Sequence, residues 1–136
     1  MHRFVTTLLC TALLAGLAAP AAQSKTRVAI GMGDQSPRMF TAKPFKALKV
    51  KKVRYFIRWD AKRIGYARAQ ADAYVKAARK ARKQVFMHIS TNNYEPREAK
   101  LPSVKQYKKF VGWIVRRYTR MGVKTWGVWN EATHYT

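Results

Sequence analysis

A repeated alternation between short β-rich runs and helical runs constrains this chain more than any other feature. Arg27-Val28-Ala29-Ile30-Gly31-Met32 reads as a first strand, ended by the loop signal Gly33-Asp34-Gln35-Ser36-Pro37. Pro44 suits the first turn of a short helix that reaches about Lys51. Val53-Arg54-Tyr55-Phe56-Ile57-Arg58-Trp59 is rich in β-branched and aromatic residues and reads as a second strand. Asp60 can cap a helix over 61–83, where Ile64, Ala67, Ala71, Tyr74, Ala78 and Ala81 recur at spacings of three and four. Gln84–Ser90 is a third strand, followed by a loop with Asn92, Asn93, Pro96 and Pro102. Ser103 then caps the clearest helix. Its apolar stripe is Val104, Tyr107, Phe110, Val111, Ile114, Val115, Tyr118 and Met121, and Gly122 stops it. Val123–Trp129 is a fourth strand, with Asn130-Glu131-Ala132-Thr133-His134 at its end.

The order β-α-β-α-β-α-β implies right-handed βαβ units and a parallel sheet, an α/β architecture. The expected fold is about four parallel strands with three intervening helices. The chain has 136 residues, and a complete (β/α)8 barrel needs roughly 250.

The first residues are set apart from this pattern. Arg3 is followed by an apolar run from Phe4 to Leu17, then by Ala18-Ala19-Pro20-Ala21-Ala22. That is the layout of a secretory signal peptide, assigned to 1–22, with a short disordered linker at 23–26. The apolar run is short for a membrane span. The mature chain is therefore expected to be secreted or extracytoplasmic, with no transmembrane segment. Cys10, the only cysteine, leaves with the signal, so no disulfide and no cysteine-ligated metal site is expected.

The charge is extreme: 28 Lys and Arg against 6 Asp and Glu, a formal net charge of +22. Such a chain attracts polyanions, an anionic cell-wall polymer among them. A solvated basic helix surface accounts for the same numbers, because the bases are spread over helices and form no single tail. No recognisable nucleic-acid motif is present, so no specific nucleic-acid partner is expected. His88, Glu131 and His134 have no recognised metal-ligand spacing, and Gly31-Met32-Gly33 lacks the rest of a phosphate loop. No metal and no cofactor is expected.

In parallel α/β sheets, function collects at the carboxyl ends of strands. There stand Asp34 and Gln35, then Trp59 and Asp60, then Asn92, Asn93 and Tyr94, then Asn130, Glu131 and His134. Asp, Asn and Gln bind hydroxyls, and the apolar faces of pyranose rings stack on Trp and Tyr. Trp129 is as readily a core aromatic as a sugar platform. Glu131 follows Trp126-Gly127-Val128-Trp129-Asn130, and a carboxyl group beside aromatic walls is desolvated enough to donate a proton. Strand alternation puts Glu131 on the side of Trp129 and Gly127. It turns Lys124, Trp126 and Val128 toward the helices.

Gly127-Val128-Trp129-Asn130-Glu131-Ala132 resembles the Asn-Glu motif on strand four of the large retaining glycosidase clan with (β/α)8 barrels. Val53-Arg54-Tyr55 resembles the clan's strand-two Val-Arg. Leu101-Pro102-Ser103 and the amphipathic helix resemble its strand-three-to-four region. The resemblance covers about residues 27 to 136. It implies that Glu131 is the general acid/base and that Asn130 binds the sugar 2-hydroxyl. It implies that Arg54 helps hold the nucleophile, a Glu on a seventh strand. The chain is therefore expected to be the N-terminal half of a barrel, truncated and inactive by itself. Its partner would be an oligosaccharide or polysaccharide. Arg58 shares the parity of Arg54 and lies nearer the strand end, so Arg58-Trp59-Asp60 is an alternative functional trio. The alternative function is a secreted module that binds carbohydrate or polyanion without catalysis.

Overall fold

In a computed structural model of the chain, residues 29–93 and 99–129 are described. The expected signal peptide, the linker, the start of the first strand, Tyr94, Asn130, Glu131 and His134 lie outside the described residues. Within them, the elements run β1 (Gly31–Gly33), α1 (Lys43–Ala47), β2 (Lys52–Arg58), α2 (Gly65–Lys80), β3 (Gln84–Ser90), α3 (Val104–Arg120) and β4 (Thr125–Gly127). Two 3-10 turns, Pro37–Thr41 and Ala61–Arg63, precede α1 and α2. No described helix is long and apolar enough to cross a membrane.

The four strands form one parallel sheet in the order β1-β2-β3-β4. Sheet order follows chain order, with no reversal. Alternation then decides which residues meet the helices. Val53, Tyr55, Ile57 and Trp59 of β2 and its end are buried, as are Val85, Met87 and Ile89 of β3. They share one core with Ala71, Tyr74, Val75 and Ala78 of α2 and Phe110, Ile114 and Tyr118 of α3. Tyr74 sits 4.5 Å from Tyr55, and Trp59 5.8 Å from Phe110, between ring centroids. Each such side chain contributes about 1.5–3 kcal/mol on burial. The intervening residues Arg54, Phe56, Arg58, Phe86 and His88 occupy the opposite face and are not part of that core. A doubly wound sheet reverses its order and carries helices on both faces. Here one helical layer covers one face.

Several boundaries differ from expectation, for local reasons. β1 and β4 are three residues each, because only those residues find a partner on β2 and β3. The helix expected from Asp60 is interrupted at Ile64, which takes extended backbone (φ −108, ψ 105). Asp60 makes no capping bond there, since both of its carboxylate oxygens accept from Arg58. The helix expected to reach Lys51 stops at Ala47, and Lys49 turns left-handed (φ 52). α3 is as expected at both ends. Gln106 N–H donates to Ser103 Oγ at 3.3 Å, and Ser103 N–H donates to Gln106 Oε1 at 2.9 Å, a reciprocal capping box. Trp126, expected to turn toward the helices, is half-buried against the core, as is Trp113 of α3.

Two helices are tied to each other by charge. Arg117 of α3 donates from Nε (3.0 Å) and Nη2 to the two oxygens of Asp72 on α2. Arg117's hydrogen bonds hold the Asp72 carboxyl below the usual carboxylate range.

α2 and α3 end in the same way. Lys83 N–H donates to Ala78 O and Arg82 N–H to Arg79 O; Val123 N–H donates to Tyr118 O and Gly122 N–H to Thr119 O, each at 2.9–3.0 Å. This paired pattern satisfies the last carbonyls and needs one left-handed residue. At α3 that residue is Gly122 (φ 94); at α2 it is Arg82 (φ 56). Arg82→Gly will therefore raise stability by about 0.5–1 kcal/mol, and Gly122→Ala will lower it by about 1 kcal/mol. Denaturant titration of both variants checks the opposite signs.

Candidate functional site

The face of the sheet not covered by helices carries two hollows. At the carboxyl ends of β1, β2 and β3 lies a cleft of about 500 Å3, whose polar walls include Gln35, Arg58, Tyr66, Asn92 and Asn93. Gln35 reaches it because β1 ends at Gly33, the residue paired with Arg54, two positions earlier. Its Oε1 then accepts from Phe56 N–H at 3.3 Å, which leaves its amide NH2 to offer a ligand. Asn92 and Asn93 follow β3. Asn92 Oδ1 accepts from Lys100 N–H at 2.8 Å, and Thr91 Oγ1 donates to Asn93 O at 2.9 Å.

Arg58 is the most constrained group in the cleft. Its Nε and Nη2 donate to Asp60 Oδ1 and Oδ2 at 2.5 and 3.0 Å, and its Nη1 donates to the Tyr66 hydroxyl at 2.7 Å. The fork-to-fork pairing with Asp60 raises the guanidinium's pKa above its ordinary value. Asp60 thus works through Arg58, with both oxygens committed. The structure brings Arg58 and Asp60 together and sends Trp59 the other way. Trp59, expected among the substrate-binding residues, is only 6% exposed. Its indole N–H donates to Lys100 O at 3.1 Å. The correction follows from strand alternation, which puts the middle residue of the trio on the helical side.

Arg54 belongs to the second hollow, about 470 Å3, with Lys52, Gln84, Phe86 and Thr125. It is exposed, and its guanidinium lies 4.5 Å from the Phe56 ring centre. Arg58, not Arg54, lines the strand-end cleft. Asp34 is exposed at the end of β1, where its Oδ1 accepts from Ser36 N–H at 2.8 Å. It closes a turn there and is not among the cleft's lining residues.

The fourth strand delivers its end differently from expectation. β4 stops at Gly127 and the chain bends at Val128. Val128, expected against the helices, is 77% exposed. Trp129 is half-buried, with its ring 6.0 Å from Tyr107 of α3. Alternation therefore stops short of Asn130 and Glu131, both outside the described residues. The backbone just before them is held from two sides. The Tyr107 hydroxyl donates to Val128 O, and His88 Nε2 bonds Trp129 O at 3.0 Å. A carbonyl only accepts, so Nε2 carries the hydrogen. Nδ1 is buried without a partner among the described residues.

His88 sits between Phe56 (5.6 Å, near-parallel) and Phe86 (5.1 Å), directly over its pairing partner Gly127. A Cβ on Gly127 would lie 2.7 Å from His88 Cγ and nearer still to its Cδ2 and Nε2. Glycine is required here so that the imidazole can lie flat on β4 and reach Trp129. Sequence reasoning singled out neither Gly127 nor Tyr66 for a role at this end. A glycine inside a strand pattern was the available signal for the first. Tyr66 reads as an ordinary exposed helix residue.

Among the described residues, no group of three or more His, Cys, Asp or Glu side chains is placed to hold a metal ion. Comparison with protein-family models, with curated proteins and with solved structures found no match for this chain.

Gly127→Ala will destabilise the fold by about 1–3 kcal/mol through overpacking. Combining it with His88→Ala will recover part of the loss, because the colliding ring is gone. A double-mutant cycle read by thermal denaturation checks the coupling; additive effects would show that the ring turns away freely.

Proposed function

We propose that this chain is the sugar-binding half of a (β/α)8-barrel glycoside hydrolase of the retaining type, exported from the cell. The cleft at the strand carboxyl ends carries the reading. Its amide, hydroxyl and guanidinium groups suit a polyhydroxylated ligand, and the Phe56 ring lines the same cleft. Chain-order winding with a single helical layer is the arrangement that eight such units need to close a barrel. The resemblance around Asn130-Glu131 supplies the chemistry. Arg58, locked by Asp60 and Tyr66, holds ligand hydroxyls. Asn130 orients the sugar at the cleavage point. Glu131 protonates the leaving oxygen and then activates water. A retaining mechanism needs a second carboxylate about 5–5.5 Å away. Asp60 gives both oxygens to Arg58, Asp72 gives both to Arg117, and Asp34 closes a turn. None of these is offered as the nucleophile.

The 136-residue chain will bind neutral oligosaccharides, followed by chemical-shift changes on titration. Arg58→Ala will weaken binding by about tenfold, the effect of losing a charge-assisted hydrogen bond of about 1.5 kcal/mol, while Glu131→Gln will leave it within about twofold. No aryl glycoside will be turned over by this polypeptide. Failure to bind any neutral oligosaccharide would overturn the reading. Robust turnover abolished by Glu131→Gln would show that a complete carboxylate pair is already present.

A further inference from the structure

Carboxylates are unevenly divided between the two ends of this sheet. The chain has six Asp and Glu in all. Asp34 and Asp60 follow β1 and β2, Asp72 lies within α2, and Glu95, Glu98 and Glu131 fall in the segments after β3 and β4. The connections from helix back to strand contain none. They are instead crowded with cations. Lys46, Lys49, Lys51 and Lys52 surround the turn into β2. Arg79, Lys80, Arg82 and Lys83 surround the turn into β3. Arg120 and Lys124 flank the turn into β4. All but Lys83 are exposed.

These three turns form one surface. Gln84 N–H donates to Lys51 O at 2.9 Å, and Lys83 Nζ donates to Val50 O at 2.7 Å, joining the first turn to the second. Arg79 lies against Gly122, and a hollow lined by Lys83, Gly122 and Lys124 joins the second turn to the third. The helix dipole explains cations only within a helix's last turn. Lys49, Lys51, Lys52, Arg82 and Lys124 stand beyond it. Lys49 and Arg82 moreover occupy left-handed backbone (φ 52 and φ 56), where glycine is the unstrained residue. At both positions a cation stands where the backbone favours no side chain at all.

We infer that this row of turns, at the end of the sheet opposite the cleft, is a docking surface for an extended linear polyanion. A chain of repeating anionic groups laid across the strand ends would meet cations from all three turns in succession, with no carboxylate to repel it. Recognition is by charge alone. No Trp, Tyr or Phe stands in these turns, so they offer neither the aromatic anchors of a membrane interface nor a stacking platform for bases. Among the described residues, the exposed large apolar side chains at this end are Leu48 and Ile30. A polymer held here leaves the cleft facing outward. The inference stands whether or not the cleft binds sugar.

The test uses inorganic polyphosphate as the probe and two charge-matched sets of substitutions in the full chain. One set is Lys49→Gly, Lys51→Gln, Arg82→Gly and Lys124→Gln. The other, at the opposite end, is Lys62→Gln, Arg63→Gln, Lys105→Gln and Lys109→Gln. At moderate salt the first set will weaken polyphosphate binding at least about tenfold, and the second will change it by less than about twofold, although both remove the same charge. Melting temperature supplies a second readout. Arg82→Gly by itself will bind more weakly yet melt higher, which an unfolding artefact cannot produce. Equal losses from both sets would overturn the inference, because they would mean a diffuse field with no site. So would anionic phospholipid vesicles that bind more tightly than polyphosphate and depend on the same four residues, which would make the surface a membrane contact.

Discussion

Everything in this molecule rests on a sheet that buries one face only. Alternation along β2 and β3 sends Val53, Tyr55, Ile57, Val85, Met87 and Ile89 into contact with α2 and α3, and that contact is where the apolar area is removed from water. The residues between them inherit the other face by default. Arg54, Phe56, Arg58, Phe86 and His88 cannot join the core without turning the strands over, since a one-residue slip exchanges the two faces completely. The uncovered face is therefore polar and aromatic as a direct consequence of how the covered face is packed. Its hollows are set by side chains rooted in rigid strands.

The same winding separates two kinds of connection. Strand-to-helix segments gather at one end, and they hold the amides, the carboxylates and the bidentate Arg58–Asp60 pair. Helix-to-strand turns gather at the other end, short and tightly hydrogen-bonded, and Lys and Arg are the charged residues in them. Net charge by itself did not distinguish a general basic surface from a localised one. The topology sorts charged residues by the direction in which the chain is travelling. A parallel sheet is polar in that sense, and here the carboxylates of the described connections, Asp34 and Asp60, stand at one end only.

Much of this was legible in the sequence. β3 has the expected limits, since Gln84–Ile89 alternates between helix-facing and open-face residues up to the buried Ser90. α3 was readable at both ends, from a serine and a glutamine at capping-box spacing and from a glycine at the stop. The parallel order followed from the alternation of elements. The failures are equally specific. Asp60 reads as a helix cap, because nothing local shows that Arg58 takes both of its oxygens. Trp59 was grouped with its neighbours in sequence, although adjacent residues of a strand point apart. The sides of Val128 and Trp129 were read from an alternation that β4 abandons at Gly127. That departure depends on His88 and Tyr107, which are distant in sequence. Asn130 and Glu131, which the resemblance makes a sugar-binding residue and the general acid/base, lie outside the described residues.

The pairing of Arg58 with Asp60 and Tyr66 has a bearing on affinity as well as on place. A free arginine side chain samples many rotamers, and a ligand that captures it must overcome that freedom. This guanidinium is already halted by three hydrogen bonds before anything enters the cleft. The ordering took place when the chain folded, so a molecule arriving there meets a stationary target and has only its own motion to lose.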